Sequence, residues 1–361
     1  MLYPWIRPLL FSLDPEEAHH LALKALQVLQ AAGAAALPPL SDPSLGQEFW
    51  GLRFPNPVGL AAGYDKNAVA PLAWPALGFG FVELGTITAK AQPGNPKPRI
   101  FRLPHDQALI NRLGFNNEGA AAIAQRLARE LPPGRPHPIP LGFNIGKSKV
   151  TPFDQAVEDY IESCEKLFPF ADYLVVNVSS PNTPDLRKLQ ETERLQRLLE
   201  ALMTVNRHLT EQNRTKLKPM LVKIAPDLSD EEVMEIARVA HAAGASGLIA
   251  TNTTIARPAT LHTLIHEKGG LSGKPVAPRA TAVLRLLFRT VEGQLPLIGV
   301  GGIFSAEDAY QRIRAGASLV QVYTGLIYEG PFLPRRIVRG LHRLVARDGF
   351  SHVREAIGKD V

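Results

Sequence analysis

The segment NVSSPNTPDL (177–186) puts two serines, two asparagines and two prolines directly after YLVV (173–176), an apolar run suited to a buried strand. A plain turn needs only one or two residues of this kind, so the surplus asks for a chemical use. Hydroxyls here could take or give a proton, and amides could read the edge of a polar ring. The same loading recurs along the chain. Lys66 follows VGLAAG (58–63), Thr86 ends FVELGT (81–86), and Asn144 lies in LGFNIG (141–146). Lys223 sits inside MLVKIAP (220–226), and Thr251 and Asn252 fall in GLIATNTT (247–254). Gly301 and Gly302 close LIGVGGI (297–303), while Tyr323 and Thr324 close LVQVYTG (319–325). One polar residue at a strand end is commonly a loop cap or a satisfied core group. Polar groups at one end of every strand describe a single mouth.

Two parts of this rim have a definable use. GVGGIFSAED gives glycines for close backbone approach and then a helix start, the arrangement that cradles phosphate in α/β barrels. Lys223, inside an apolar strand, needs an anionic partner or a neutralised charge; a carboxylate or a reduced flavin ring would serve. Within NVSS, alternation puts Asn177 and Ser179 on one face and does not by itself choose Ser180 over Ser179. Metal chemistry is not expected: the ten histidines are scattered, and the one close helical pair, His262/His266, reads as a solvated face. There is no G-x-S-x-G elbow, and no rim histidine to activate a serine.

The elements that must position these residues follow from the same runs. Eight apolar runs, the eighth being YLVVNVSS (173–180), alternate with candidate helices near 67–78, 116–130, 152–168, 189–210, 229–243, 276–290, 305–315 and 331–346. Ser229 and Ser305 each precede an acid by three residues, as in a capping box, and Pro331 suits a first helical position. Strict alternation predicts a (β/α)8 barrel, and GVGGI lacks the spacing of a dinucleotide fingerprint. Two long excursions, 87–115 and about 255–275, should emerge at the C-terminal rim as lids.

Bulk properties narrow the class further. The 361 residues are 45% hydrophobic, and 40 Lys and Arg against 34 Asp and Glu leave a net charge of +6. That excess suits anionic ligands or an anionic membrane surface, but no basic run with interleaved aromatics points to nucleic acid. The single cysteine, Cys164, excludes an intramolecular disulfide, suggests a reducing compartment and reads as a structural thiol in a helix. No secretory signal or membrane-spanning run is evident.

Taken together, AAGYDKN (61–67), ELGTIT (83–88), PGNPKPRIFRL (93–103), NRLGFNN (111–117), NIGKS (144–148), NVSSPNTPDLR (177–187), VKIAPDL (222–228), ATNTT (250–254), GGLSG (269–273), GVGGI (299–303) and QVYTG (321–325) resemble the dihydroorotate dehydrogenases of the quinone-linked, membrane-associated class. The resemblance spans nearly the whole chain. Tyr64 stands where that family often has Phe or Leu, and Asp185 where SPNTP is commonly followed by Gly. The resemblance implies that Ser180 removes the C5 proton of dihydroorotate while the C6 hydride passes to N5 of FMN. The soluble class uses a cysteine there, and Cys164 lies elsewhere in a helix. It further implies that Lys66, Asn111, Arg112, Leu113, Gly114, Phe115, Asn177, Asn182, Asn252 and Thr253 meet the substrate. FMN would be held by Ala62, Gly63, Lys66, Thr86, Asn144, Asn177, Lys223, Thr251, Gly273, Gly302, Tyr323 and Thr324, with Lys223 offsetting the charge of the reduced ring.

The first forty residues form a separate segment. Asp14-Pro15-Glu16-Glu17 is a helix start, and from Ala18 to Ala32 the polar stripe is only His20, Lys24 and Gln27. So wide an apolar arc fits packing on the barrel or a partner, or a helix lying in a membrane interface. The resemblance favours the second. Residues 1–40 would then be a membrane and quinone-access segment, with Tyr3, Trp5 and Phe11 at the surface and Arg102 and His19 along the quinone path. Residues 41–361 would be the FMN barrel, peripheral on the cytoplasmic face of the inner membrane. Two other readings exist. A flavin barrel acting on transfer-RNA uridines would carry a cysteine on a rim loop, which is missing here. A non-catalytic phosphate-ligand module leaves Lys223 and the loaded rim without a use.

Overall fold

The computed structural model describes residues 3–33, 37–131, 136–258, 264 and 266–361. His262 and part of the second excursion (259–263 and 265) lie outside the described residues.

Two helices lead the chain, α1 (Tyr3–Ser12) and α2 (Pro15–Ala31), followed by a short hairpin of β1 (Gln47–Phe49) and β2 (Leu52–Phe54). The strands and helices that follow are β3 (Val58–Leu60), β4 (Phe81–Ile87), β5 (Ile100–Leu103), β6 (Ala108–Asn111), α3 (Ala120–Glu130), β7 (Leu141–Ile145), α4 (Ala156–Leu167), β8 (Tyr173–Asn177) and α5 (Thr192–Asn213). The chain continues through β9 (Met220–Ile224), α6 (Asp230–Ala242), β10 (Gly247–Ala250), β11 (Gly270–Gly273), α7 (Ala277–Thr290), β12 (Leu297–Val300), α8 (Ala306–Arg314), β13 (Leu319–Val322), α9 (Thr324–Glu329) and α10 (Leu333–Arg347).

Eight strands close a parallel barrel in the order β10-β12-β13-β3-β4-β7-β8-β9, as the alternation predicted. Strands covered on both faces read as continuous apolar runs, and β8 and β9 are buried at every position. Alternate residues point inward. Phe81, Tyr173, Leu221, Ile249, Ile298 and Leu319 fill the lower barrel. The β1–β2 hairpin closes that end: Phe49, Trp50 and Leu52 pack on the same cluster, and Trp50 Nε1 donates to Ser246 O at 2.8 Å. Both serine capping boxes are formed, at the starts of α6 and α8.

Two elements differ from the sequence reading. Residues 67–78 form no α-helix. The Asp65 carboxylate accepts from Val69 N at 2.8 Å and Ala70 N at 3.0 Å, which shapes a loop instead. Pro71 and Pro75 then leave room for one 3-10 turn, Trp74–Leu77, which ends at Gly78 with φ +99°. Pro331 is not the first residue of a helix; α10 starts at Leu333 and carries Pro334 in its first turn. The first excursion, too long for a plain βα loop, has structure of its own: β5 and β6 form a hairpin, and β11 from the second excursion joins it, giving a sheet in the order β11-β6-β5. Leu103, Ala108, Ile110 and Leu271 make its small core.

The leading helices are fixed to the rest by polar contacts. Asp14 caps α2, accepting from Glu16 N and Glu17 N. Glu16 is buried and forks onto Arg99, with Arg99 Nη2 to Oε1 at 2.6 Å and Nε to Oε2 at 3.0 Å. Tyr3 Oη donates to Ile327 O at 2.5 Å, and Leu72 N donates to Gln30 Oε1 at 2.8 Å.

Candidate active site

The inward register of the barrel delivers a polar layer above the apolar one. On β4, Glu83 follows Phe81 inward; on β9, Lys223 follows Leu221; on β13, Gln321 follows Leu319. The buried Lys223 finds its partner here, a carboxylate: Nζ donates to Glu83 Oε1 at 3.1 Å. Glu83 also accepts from Asn144 Nδ2 at 2.5 Å and from Gln321 Nε2 at 2.6 Å.

Above this layer lies an open cleft at the C-terminal mouth of the barrel. Ala62, Gly63, Lys66, Thr86, Lys223, Thr251, Gly273, Gly302, Tyr323 and Thr324 line it. So do Asn111, Leu113, Gly114, Phe115, Asn177, Ser180, Asn182, Asn252 and Thr253. Two expected residues do not. Arg112 turns to the covering loops, where its guanidinium pairs with Glu267 and lies over the Phe101 ring. Asn144 sits one row behind, accepting from Thr86 Oγ1 at 2.5 Å and from Asn177 Nδ2 at 3.1 Å.

The two serines separate cleanly. Ser179 is enclosed by amides: its Oγ donates to Asn177 Oδ1 and accepts from Asn252 Nδ2, both at 3.0 Å. Ser180 faces the cleft, and its Oγ accepts from Asn182 N at 3.3 Å. The loop that carries them is held by Arg187, which donates to Ser179 O and Thr253 O, each at 3.1 Å, and pairs with Asp227 at 2.8 Å. Asn177 is fully engaged, giving its two amide hydrogens to Thr86 and Asn144.

Two buried acceptors in the cleft wall, Gln321 Oε1 and Thr251 Oγ1, have no partner among the described residues. Such groups are costly unless a ligand satisfies them. Lys66 makes no ion pair or hydrogen bond among the described residues, and burial pushes its ammonium down to about 8. At the far end, Gly302 has φ +73°, and a Cβ there would meet the Ala277 Cβ at 2.5 Å. A side chain is therefore excluded at this point of the cleft wall.

A second cleft, about 1350 Å³ and mostly apolar, opens between the leading helices and the barrel. Leu10, Phe11, Ala22, Leu26, Leu77 and Ile327 line it, with His19 and Arg102 as its polar members. His19 stands edge-on to Tyr64 at 4.8 Å; burial and then the Lys66 charge push its imidazole down to about 3, so it is neutral. Arg102 donates to Leu10 O at 3.1 Å and lies over the Phe11 ring. Tyr323 belongs to both clefts and forms the wall between them.

Sequence reasoning missed Glu83 and Gln321. Their signal was parity: each lies two residues after an inward apolar residue, at the height of Lys223.

The described residues hold no cluster fit for a metal. Cys164 is buried in α4, with its thiol pushed up to about 12 by that burial, so it has no part in the mouth.

Comparisons with known proteins agree with this geometry. The family model described as dihydroorotate dehydrogenase matches residues 44–345. A relative named dihydroorotate dehydrogenase (quinone) from Acidithiobacillus ferrooxidans is 52% identical over 365 residues, covering 99% of each chain. One of the same name from Gloeobacter violaceus is 53% identical, covering 99% of this chain and 98% of its own. Among solved structures, the Eimeria tenella DHODH in complex with ferulenol superposes with a TM-score of 0.87 at 45% identity, covering 96% of each chain.

Proposed function

The chain belongs to the dihydroorotate dehydrogenase family, and from that membership we propose that it oxidises dihydroorotate to orotate in pyrimidine biosynthesis, passing the electrons through FMN to a membrane quinone. One observation carries the reading: a polar cleft holding Ser180 and an apolar cleft under the leading helices share the Tyr323 wall. A polar substrate and an apolar acceptor thus reach opposite sides of one central group.

The residues present fit FMN. Gly273, Gly302, Thr324 and the start of α9 suit its phosphate. The unpartnered Gln321 and Thr251 oxygens suit polar edges of its ring, and Lys223 lies beneath them. When bound, FMN supplies the two-electron acceptor that no side chain can provide.

Ser180 is the base for the C5 proton. Its oxygen already accepts from Asn182 N, and a donor aimed at that oxygen favours its charged form. Lys66 pairs with the substrate carboxylate. Asn111, Asn182 and Asn252 orient the pyrimidine; Ser179, bonded to Asn177, holds the Asn252 amide, and Asn182 Nδ2 donates to Asn111 O. Leu113, Gly114 and Phe115 close over the substrate and exclude water. Arg112 acts at one remove, tying the covering hairpin to Glu267.

Quinone enters through the apolar cleft. The exposed Trp5, Ile6 and Leu9 of α1 support a lipid surface at that entrance. Peripheral attachment through α1 and α2 is part of this proposal, and no described helix is long and apolar enough to cross a membrane. The test is direct: purified protein should release FMN on heating. Dihydroorotate should bleach its flavin without oxygen, and a long-chain quinone should restore the colour. Protein that holds no flavin, or whose flavin ignores dihydroorotate, would refute the proposal.

A further inference from the structure

We infer that Glu83 is a positioning residue that sets how much of the Lys223 charge reaches the flavin, an inference that rests on the flavin reading above. Glu83 is wholly buried, as is nearly all of Lys223. The carboxylate takes three donors from three other barrel strands: Lys223 Nζ at 3.1 Å, Asn144 Nδ2 at 2.5 Å and Gln321 Nε2 at 2.6 Å. Lys223 has no second acceptor among the described residues. Lys223 and Gln321 line the cleft, whereas Glu83 stands behind them.

The cation beneath the ring is therefore half of a neutral pair. An unopposed ammonium there would hold the reduced, more negative ring too firmly and hinder its return of electrons to quinone. A carboxylate behind the ammonium subtracts from that field, so the site favours reduced flavin only moderately. Neutral donors on Glu83 refine the balance. Each hydrogen bond from Asn144 or Gln321 draws carboxylate charge away from Lys223.

The substitution Glu83→Gln can be accommodated. Gln321 Oε1 is unpartnered, so a flip of that amide would offer an acceptor to the new NH2 group while Lys223 keeps an oxygen. A merely structural Glu83 would alter the melting temperature and leave the flavin potential in place.

The experiment is a spectroscopic redox titration of FMN bound to wild type, Glu83→Gln and Glu83→Gln/Lys223→Met. The single variant should favour reduced over oxidised FMN about tenfold more than wild type, a rise of about 30 mV for a two-electron couple. The double variant, neutral again, should return to within about threefold of wild type. Should Glu83→Gln fail to fold, Asn144→Leu, at a residue that donates to Glu83 but does not line the cleft, gives the opposite sign, because a carboxylate with one donor fewer opposes Lys223 more strongly and lowers the potential. A flavin-loaded wild type whose potential is unmoved by these changes, or moved the wrong way, would overturn this inference alone. A wild type that takes up no FMN would overturn the flavin reading and this inference with it.

Discussion

Raising the pH should loosen the grip on substrate through Lys66. Its ammonium lies well below the ordinary lysine value, at about 8, because burial strips its water; the Glu16 carboxylate offsets part of that loss, and Arg99 and Asp65 make smaller, opposing contributions. A bound carboxylate favours the charged form, so binding requires the protonated lysine. The sign follows: affinity is fully present below pH 8 and is lost as pH rises through it. With a free-site value near 8, roughly nine tenths of sites are competent at pH 7 and one tenth at pH 9. The Kd for orotate should therefore weaken by about tenfold between those values. Orotate titrated against the flavin spectrum from pH 7 to 9 measures this directly. Calorimetry in two buffers should show almost no proton uptake at pH 7 and nearly one proton at pH 9. Lys66→Met should bind at least about tenfold more weakly at pH 7, the worth of one charged hydrogen bond, and should lose the pH slope. A wild-type affinity that changes less than twofold over this range, or a slope that survives in Lys66→Met, would refute the reasoning.

Ser180→Ala should lower dihydroorotate oxidation by about 10²–10⁴-fold with FMN retained, whereas Ser179→Ala, which loses only two amide contacts, should cost far less; stopped-flow bleaching separates them, and equal effects would contradict the assignment. Lys223→Met leaves Glu83 buried without its cation, a loss of about 3–5 kcal/mol, or a melting temperature lower by about 4–7 °C for a chain of this length, with recovery in Glu83→Gln/Lys223→Met. A melt unchanged by Lys223→Met would mean that the pair carries no stability. Trp5→Gln with Leu9→Gln should release the protein from anionic vesicles without shifting its melt, as these side chains are 84% and 70% exposed. They test attachment more cleanly than a chain begun at Ser41, which loses Glu16 and strands Arg99; unchanged vesicle binding would count against the leading helices as the anchor.

Strand positions were legible because a barrel covered on both faces demands uninterrupted apolar runs, and those runs are hard to mistake. The 67–78 segment misled because its apolar spacing mimics a helix, while its shape is set by Asp65, a carboxylate that binds two backbone groups beyond it. The rim was legible as a set, since each polar residue ends a strand. What each one touches was not. Lys223 plainly needed an anion, and two kinds were conceivable; Glu83, 140 positions away in sequence, becomes its partner only through barrel closure. Ser179 and Ser180 show the same limit: alternation failed where the strand ended, and the distinction rests on how the loop leaves it.

The sheet over the mouth has a consequence for the order in which the molecule is built. Its hairpin, Ile100–Leu103 with Ala108–Asn111, is local and can form early. Its third strand, Gly270–Gly273, pairs Gly270 with Asn111 and is made only after roughly three quarters of the chain has left the ribosome. Until then the hairpin has an open edge, the kind that invites pairing with another chain. The cover is therefore finished after six of the eight barrel strands have been synthesised. A change in residues 255–275 that delayed its arrival would lower the yield of native protein, though every residue lining the mouth were intact.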